Sequence, residues 1–413
     1  MKRWGIVLLL CLGVVACSSD KKVAPKEGRI ALQEAVVVPK ARQNIKLNAR
    51  SDIWTVDSTT YTSQNKKEHL KNLASSSNWE KSVGTNKIKN SPALPAPAIG
   101  KKNVYTLDGQ FSVRAHQRTD GALVWETLLD KNETGLCLIK NGSRLLALSA
   151  KGKLAALDTD GKILWQKDLK APFRNTPVIE KDNLYLLSAN NDVWALNLKN
   201  GQEKWHYKTD APVTFLQQMG TPAVSGKTIV VPFSSGIVIA FDKDTGSYLW
   251  EQDMSGSKSF DRIANMAQMT ASPVIEGQTV YLVGHANKTG AFDLKDGHAL
   301  WTLSQGGRLT PVISGNAVFI LNSDNMLSAF SKNDGHLFWQ TKIPEIKGQK
   351  GMYLLDNTLM VIGRESSLKL NAQNGQIEAS LKTDFDGSVP VLAQDGWYYL
   401  HKNGNLIHQG QIQ

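Results

Sequence analysis

The residues best suited to chemistry lie in Asp158-Thr159-Asp160-Gly161, where two carboxylates one residue apart precede a glycine in the manner of a calcium loop. Such a loop needs a further carboxylate at its distal end, and Lys162-Ile163-Leu164-Trp165 supply none, so no metal site is assigned. The eight histidines are scattered, without a His-x-x-Glu-His pattern or a His/Cys pair at ligand spacing. Neither a Gly-x-Ser-x-Gly elbow nor a Gly-x-x-x-x-Gly-Lys-Ser/Thr phosphate loop occurs. Of the three cysteines, Cys137 sits in the apolar run Gly135 to Ile139 and reads as a small core residue. No catalytic or cofactor-binding residue is assigned, and no resident cofactor is expected.

The acidic turn gains its meaning from repetition. Glycine and tryptophan stand four apart at Gly121/Trp125, Gly161/Trp165, Gly201/Trp205, Gly246/Trp250, Gly297/Trp301 and Gly335/Trp339. Gly375 opens the phrase once more, with Ala379 in place of tryptophan. Rings recurring this regularly are expected to pack between repeating sheets rather than to stack on a cofactor. The turn chemistry of Asp, Asn and Gly accounts for the residues before them.

Each repeat of roughly forty residues reads as four short β-runs separated by Asn/Asp/Gly turns. In one, the strands are Asn175–Ile179, Leu184–Ser188, Val193–Leu198 and Gln202–Lys208. The same grammar fits 92–129, 134–169, 221–254, 272–304, 310–343 and 349–383, which makes seven units. The C-terminal stretch from Val389 supplies only three runs: Val389–Leu392, Trp397–Leu400 and Asn405–His408. Asn78–Val83 is a tryptophan strand with no unit before it. A ring accommodates both remnants, so the expected fold is all-β: an eight-bladed propeller of four-stranded antiparallel blades over 78–413, its last blade closed by an N-terminal strand.

The start of the chain reads differently. Lys2 and Arg3 precede an apolar run from Ile6 to Ala16, too short to span a membrane and suited to a signal peptide over 1–16. Val14-Val15-Ala16-Cys17 has the form of a bacterial lipobox, so Cys17 is the expected lipidation site. With Ser18 rather than Asp beside it, the expected destination is the periplasmic face of the outer membrane. Residues 17–77 read as a lipidated basic tether and N-terminal extension. The net charge is +11, of which residues 18–90 carry +7 and residues 91–413 only +2, so the basic character belongs to the tether. Basic residues near an anionic membrane gain electrostatic attraction. No nucleic-acid partner is expected, since no basic-aromatic RNA-binding motif accompanies the charge.

Tryptophan spacing locates two insertions. The intervals from Trp79 are 46, 40, 40, 45, 51 and 38, and the excess falls in Asp210–Gly220 and Ser255–Ala271. Both stretches connect an outer strand to the next inner strand, so they should emerge side by side on one face. Thr214-Phe215-Leu216-Gln217-Gln218-Met219 and Phe260-Asp261-Arg262-Ile263, with Met266 and Met269, place apolar side chains beside a charged pair. That composition suits a protein-binding patch.

The phrase from Ala156-Leu157-Asp158 to Trp165, repeated from Ala195-Leu196-Asn197 to Trp205, resembles the quinoprotein-type propeller repeat. Two families carry it: quinone-dependent alcohol dehydrogenases, many of which clamp their quinone with a vicinal cysteine pair absent here, and BamB lipoproteins of the outer-membrane β-barrel assembly machinery. The lipobox, the eight units, the Asn78-Trp79 strand and the insertion positions resemble the BamB family across residues 78–413. That resemblance implies a non-enzymatic scaffold whose two adjacent loops bind the periplasmic domains of a BamA-like barrel subunit. It also implies contact with unfolded outer-membrane protein substrates. The family's first loop usually reads Leu-x-Leu-Arg, against Thr214, Phe215, Leu216 and Gln217 here. Its second begins Asp-Arg-Leu-Ser-Asp, against Asp261, Arg262, Ile263, Ala264 and Asn265. The expected partner-binding residues are accordingly Thr214–Gln217, Asp261, Arg262, Ile263 and Asn265. The alternatives are a quinone-dependent oxidoreductase of the same repeat type and a propeller that binds cell-wall polymer.

Overall fold

The computed structural model describes residues 45–47, 78–83, 94–209, 219–255, 269–285, 288–349, 351–393 and 395–410. Every regular element among them is a strand, and the strands form eight separate four-stranded antiparallel sheets arranged as a propeller. Seven blades are consecutive meanders, spanning 98–128, 135–168, 178–207, 223–253, 274–303, 312–342 and 351–382. The eighth takes Val391–Ala393, Gly396–Leu400 and Asn405–Gln409, and completes itself with Trp79–Ser82. The units expected from the repeat and the closing strand are thus the ones that form. One boundary moves: the inner strand of blade 8 starts at Val391 rather than Val389, because Pro390 has no N–H to give to a ladder.

Alternation along the inner strands places apolar side chains between blades rather than within one. Leu146, Leu148 and Leu154 of blade 2 pack with Leu184, Leu186 and Leu196 of blade 3 in one buried cluster. Cys137 belongs to the same cluster and is 7% exposed, so it is the small core residue its surroundings suggest. Burial pushes its thiol pKa up to about 12.

The tryptophans make the joints between blades. Gly201 turns with φ +69°, and a Cβ there would lie 2.7 Å from the ring of Trp165 in the preceding blade. Glycine is needed for the turn and for the approach of the ring. The same meeting recurs at Gly121 with Trp79, Gly161 with Trp125, Gly246 with Trp205, Gly297 with Trp250, Gly335 with Trp301 and Gly375 with Trp339. Each indole Nε1–H also donates to the first carbonyl after the next blade's third strand. The acceptors are Arg118, Thr159, Leu198, Lys243, Leu294, Lys332 and Ala372, at 2.9–3.1 Å. Two residues beyond some of the tryptophans a second bond forms, from Thr127 Oγ1 to Gly161 O and from Thr341 Oγ1 to Gly375 O.

A third position completes the joint. Opposite each of the six repeat tryptophans stands an alanine on the third strand, for example Ala156 across from Trp165 and Ala329 across from Trp339. A β-bulge follows that alanine, twisting the strand pair into the glycine turn. In blade 7 the pair is Lys369 and Ala379, so both partners change together. The cause is topological. Blade 8 has no turn between its third and fourth strands, because the fourth comes from Trp79–Ser82, and no turn glycine waits there for an indole. Phe385, Trp397 and Tyr399 pack with Met360 and Ile362 at that junction instead.

The closing strand is held on both sides. Trp79 pairs with His408 and Ser82 with Asn405, and the Gly410 amide donates to Asn78 Oδ1 at 2.8 Å. Toward blade 1, Arg114 donates to Val83 O at 2.7 Å while pairing with buried Asp108 at 2.6 Å. Arg118 forms an ion pair with Asp395 of blade 8 and donates to Gly100 O at 2.9 Å. Blades 4 and 6 place a lysine in the slot of Arg118: Lys243 reaches Glu180 at 2.8 Å and Lys332 reaches Glu276 at 2.5 Å.

Trp339→Ala should lower stability by about 3–5 kcal/mol in denaturant unfolding, whereas Ala379→Trp should give no gain, having no glycine turn to cover. His116 is buried with Nδ1 3.2 Å from Gly121 O, and burial holds its imidazole pKa below the ordinary value. The unfolded chain takes up a proton near pH 6.5 while the folded chain does not. Stability from this group is therefore full above that pH and declines below it. Tm should fall between about pH 7 and about pH 5, and His116→Gln should flatten that fall.

Candidate functional site

The acidic residues that looked chemical are occupied by their own turns. Asp158 Oδ1 accepts from the amides of Asp160 at 3.0 Å and Lys162 at 2.9 Å. Asp108 and Asp242 do the same in other blades. Among the described residues no three His, Cys, Asp or Glu side chains gather as metal ligands would.

The two insertions remain the departure from the repeat, and the structure fixes their stems. Cys17 and the loop residues Thr214, Phe215, Leu216, Gln217, Asp261, Arg262, Ile263 and Asn265 lie outside the described residues. The stems of the two loops meet. The Gly220 amide donates to Met269 O at 3.0 Å, and the Thr221 amide donates to Ser272 Oγ at 2.9 Å. Buried Asn175, from the connection before, donates through Nδ2 to Gly220 O at 2.9 Å. On the other side Thr270 Oγ1 donates to Arg308 O at 3.0 Å, and the Ser272 amide to Thr310 Oγ1 at 3.1 Å. Four successive interblade connections are thus laced together on one face, with the two longest in the middle.

Methionine was expected at the rim, and here the structure corrects the sequence reading. Met219 is 7% exposed and packs on Val231 and Phe233, while Met254 and Met269 are essentially closed off beside Trp250. They seat the loops rather than offer contacts. Stem geometry explains this: a connection that begins and ends in a packed sheet must bury its first and last residues.

A feature without sequence signal lies next to the stems. A cavity of about 1240 Å³ runs along the inner strands of blades 5 to 7, bounded by Thr270, Val274, Arg308, Ile313, Tyr353 and Arg364 among others. It collects residues from three repeats that no local spacing links. The crevice shares Thr270, Arg308 and Thr310 with the laced surface, and its lining mixes apolar side chains with both Glu276 and Glu345 and the basic Arg308 and Arg364.

This arrangement can bind and position, since the stems of two long connections are hydrogen-bonded to each other on a closed ring of sheets. Asn175→Ala would leave the buried Gly220 carbonyl unpaired. It should cost about 1–3 kcal/mol and raise amide exchange at Gly220 and Thr221, which deuterium labelling would read.

Comparison with known proteins gives the fold a context. Residues 109–341 match the family described as outer membrane protein assembly factor BamB. The assembly factor BamB of Yersinia pestis is 25% identical over 234 residues, covering 54% of this chain and 59% of that protein. The chain therefore matches somewhat more than half the length of this curated relative. In three dimensions, BamB from Moraxella catarrhalis superposes with a TM-score of 0.67 at 17% identity, over 79% of this chain and 97% of that one. The quinohemoprotein alcohol dehydrogenase of Comamonas testosteroni gives a TM-score of 0.55 at 11% identity, over 79% and 70%. These likenesses in shape speak to the propeller fold.

Proposed function

The chain belongs to the BamB family of outer-membrane protein assembly factors, and from that premise we propose that it is a non-enzymatic, lipid-anchored scaffold. In this reading Cys17 carries the lipid, residues 17–77 tether the propeller, and the protein stands at the periplasmic face of the outer membrane. The loops 210–218 and 256–268 dock on the periplasmic domains of a BamA-like subunit, and the complex assists insertion of unfolded outer-membrane proteins.

The observation that carries the proposal is the junction of the two stems through Gly220 and Met269. Two loops lengthened independently in sequence issue from one laced surface, so a single partner can engage both. Phe215 and Leu216 supply apolar contact, and Asp261 and Arg262 supply direction. A stiff ring behind them lowers the ordering that binding would otherwise require.

The reading is tested by Leu216→Asp combined with Arg262→Glu. Co-purification with the assembly subunit from solubilised membranes should drop at least about tenfold, matching the roughly 2 kcal/mol expected of a central apolar contact. The propeller's unfolding transition should stay where it is, because both positions fall in interblade connections and no blade strand is altered. Full retention of the partner by the folded double variant would refute the interface.

A further inference from the structure

The hairpins between first and second strands carry a contact that the repeat does not explain. Blades 2, 4, 5 and 6 turn there on Gly142, Gly226, Gly277 and Gly315, with φ of +56°, +57°, +61° and +59°. Among the described residues, a Cβ on the first three would meet nothing within 4 Å. On Gly315 it would sit 1.6 Å from the carbonyl oxygen of Lys46, a residue from the N-terminal extension. Four hairpins of one geometry thus include one that is covered.

The covering segment is bound by more than proximity. The Lys46 amide donates to Asn316 Oδ1 at 2.8 Å, and the Asn316 amide donates back to Lys46 O at 3.0 Å. Ile45 is 8% exposed and joins the buried cluster of blades 6 and 7, with Leu47 packed against it. Lys46 itself points to solvent. Backbone pairing with two flanking apolar side chains is how a short extended segment docks on an exposed turn. Glycine at 315 is what lets the two backbones come so near.

The place of this contact matters. In a meander, first-to-second and third-to-fourth hairpins share one rim, and the Lys332 amide indeed donates to Asn316 O at 2.8 Å across that rim. The laced stems of the interblade connections occupy the opposite rim. We propose that residues 45–47 form a strap that fixes the N-terminal extension to blade 6 on the rim facing away from the paired loops. Any pull on the extension from upstream is then delivered to that rim, and the loops are presented in the opposite direction.

The strap also sets a reach. From Cys17 to Ile45 is 28 residues, which span at most about 100 Å; from Cys17 to Trp79 is 62, which span at most about 220 Å. With the strap seated, the propeller stays within the shorter limit of the anchor. This consequence rests on the proposed lipidation of Cys17, whereas the strap does not.

The test is a cross-link in the full chain carrying Cys11→Ser and Cys17→Ser, so that Cys137, buried and with its thiol pKa raised to about 12, is the one native thiol left. Lys46→Cys with Asn316→Cys should oxidise to an intramolecular disulfide at least about tenfold faster than Lys46→Cys with Gly277→Cys, the uncovered hairpin of blade 5. Adding Ile45→Asp, which removes the strap's apolar anchor and alters no blade strand, should abolish that advantage. Equal rates for the two pairs would overturn the strap, and so would an Ile45→Asp chain that cross-links undiminished. Mass measurement of Cys17 in the unmodified chain tests the anchor separately: an unlipidated cysteine with an intact cross-link would overturn the reach argument and leave the strap standing.

Discussion

Seven of the eight joints in this ring depend on an indole meeting a glycine. The residue without a side chain offers a flat patch of backbone at the turn of one blade, and the largest side chain of the preceding blade fills it. A tryptophan can bury about 150–250 Å² in such a place, and its N–H still finds a carbonyl at the end of the neighbouring third strand. Apolar contact sets the spacing between blades, and the hydrogen bond sets their angle. Because the same three positions recur, the blades meet at similar angles and the sheets return on themselves.

The ion pairs are placed as additions to this joint. Arg118, Lys243 and Lys332 follow the third strands of blades 1, 4 and 6, where Leu198, Leu294 and Ala372 stand in blades 3, 5 and 7. The carbonyl that receives the indole belongs to this residue in every case, so the side chain is free to vary. Where a cation stands there it reaches an acid of the preceding blade. At the closure the arrangement is densest: Arg118 meets Asp395 and lies 5.6 Å from the ring centre of Tyr398. Truncating one partner of a half-buried pair leaves the other charge uncompensated, so the closure is also sensitive.

How much of this could be read from the residues follows from distance along the chain. Glycine and tryptophan of one unit lie four apart, and their recurrence gave the blade count, the strand order and the closing role of Asn78–Val83. Yet the glycine that an indole covers lies 34 to 47 residues further on, so the joint itself was hidden behind the pattern. Ala379 looked like a blemish for the same reason: its meaning needs Lys369 across the strand and the missing turn in blade 8. Met219 and Met269 were misplaced because composition distinguishes loop from strand but not stem from tip. The contact of Ile45 and Lys46 with Gly315 and Asn316 joins residues 270 apart without any periodic signal, and the crevice beside the stems draws on three repeats at once.

The closing strand fixes an order of events. Trp79–Ser82 belongs to the earliest part of the propeller to be synthesised, and its partners Asn405–His408 to the latest. Seven blades can build locally as they emerge, but the eighth waits for the last residues, and the first indole stays uncovered until Gly121 and its blade are in place. Joining ends some 325 residues apart costs on the order of 5 kcal/mol in chain entropy, a sum no single contact at the seam supplies. The ring therefore closes as one event late in the life of the nascent chain. Any truncation at the C-terminal end strands the beginning of the molecule as well.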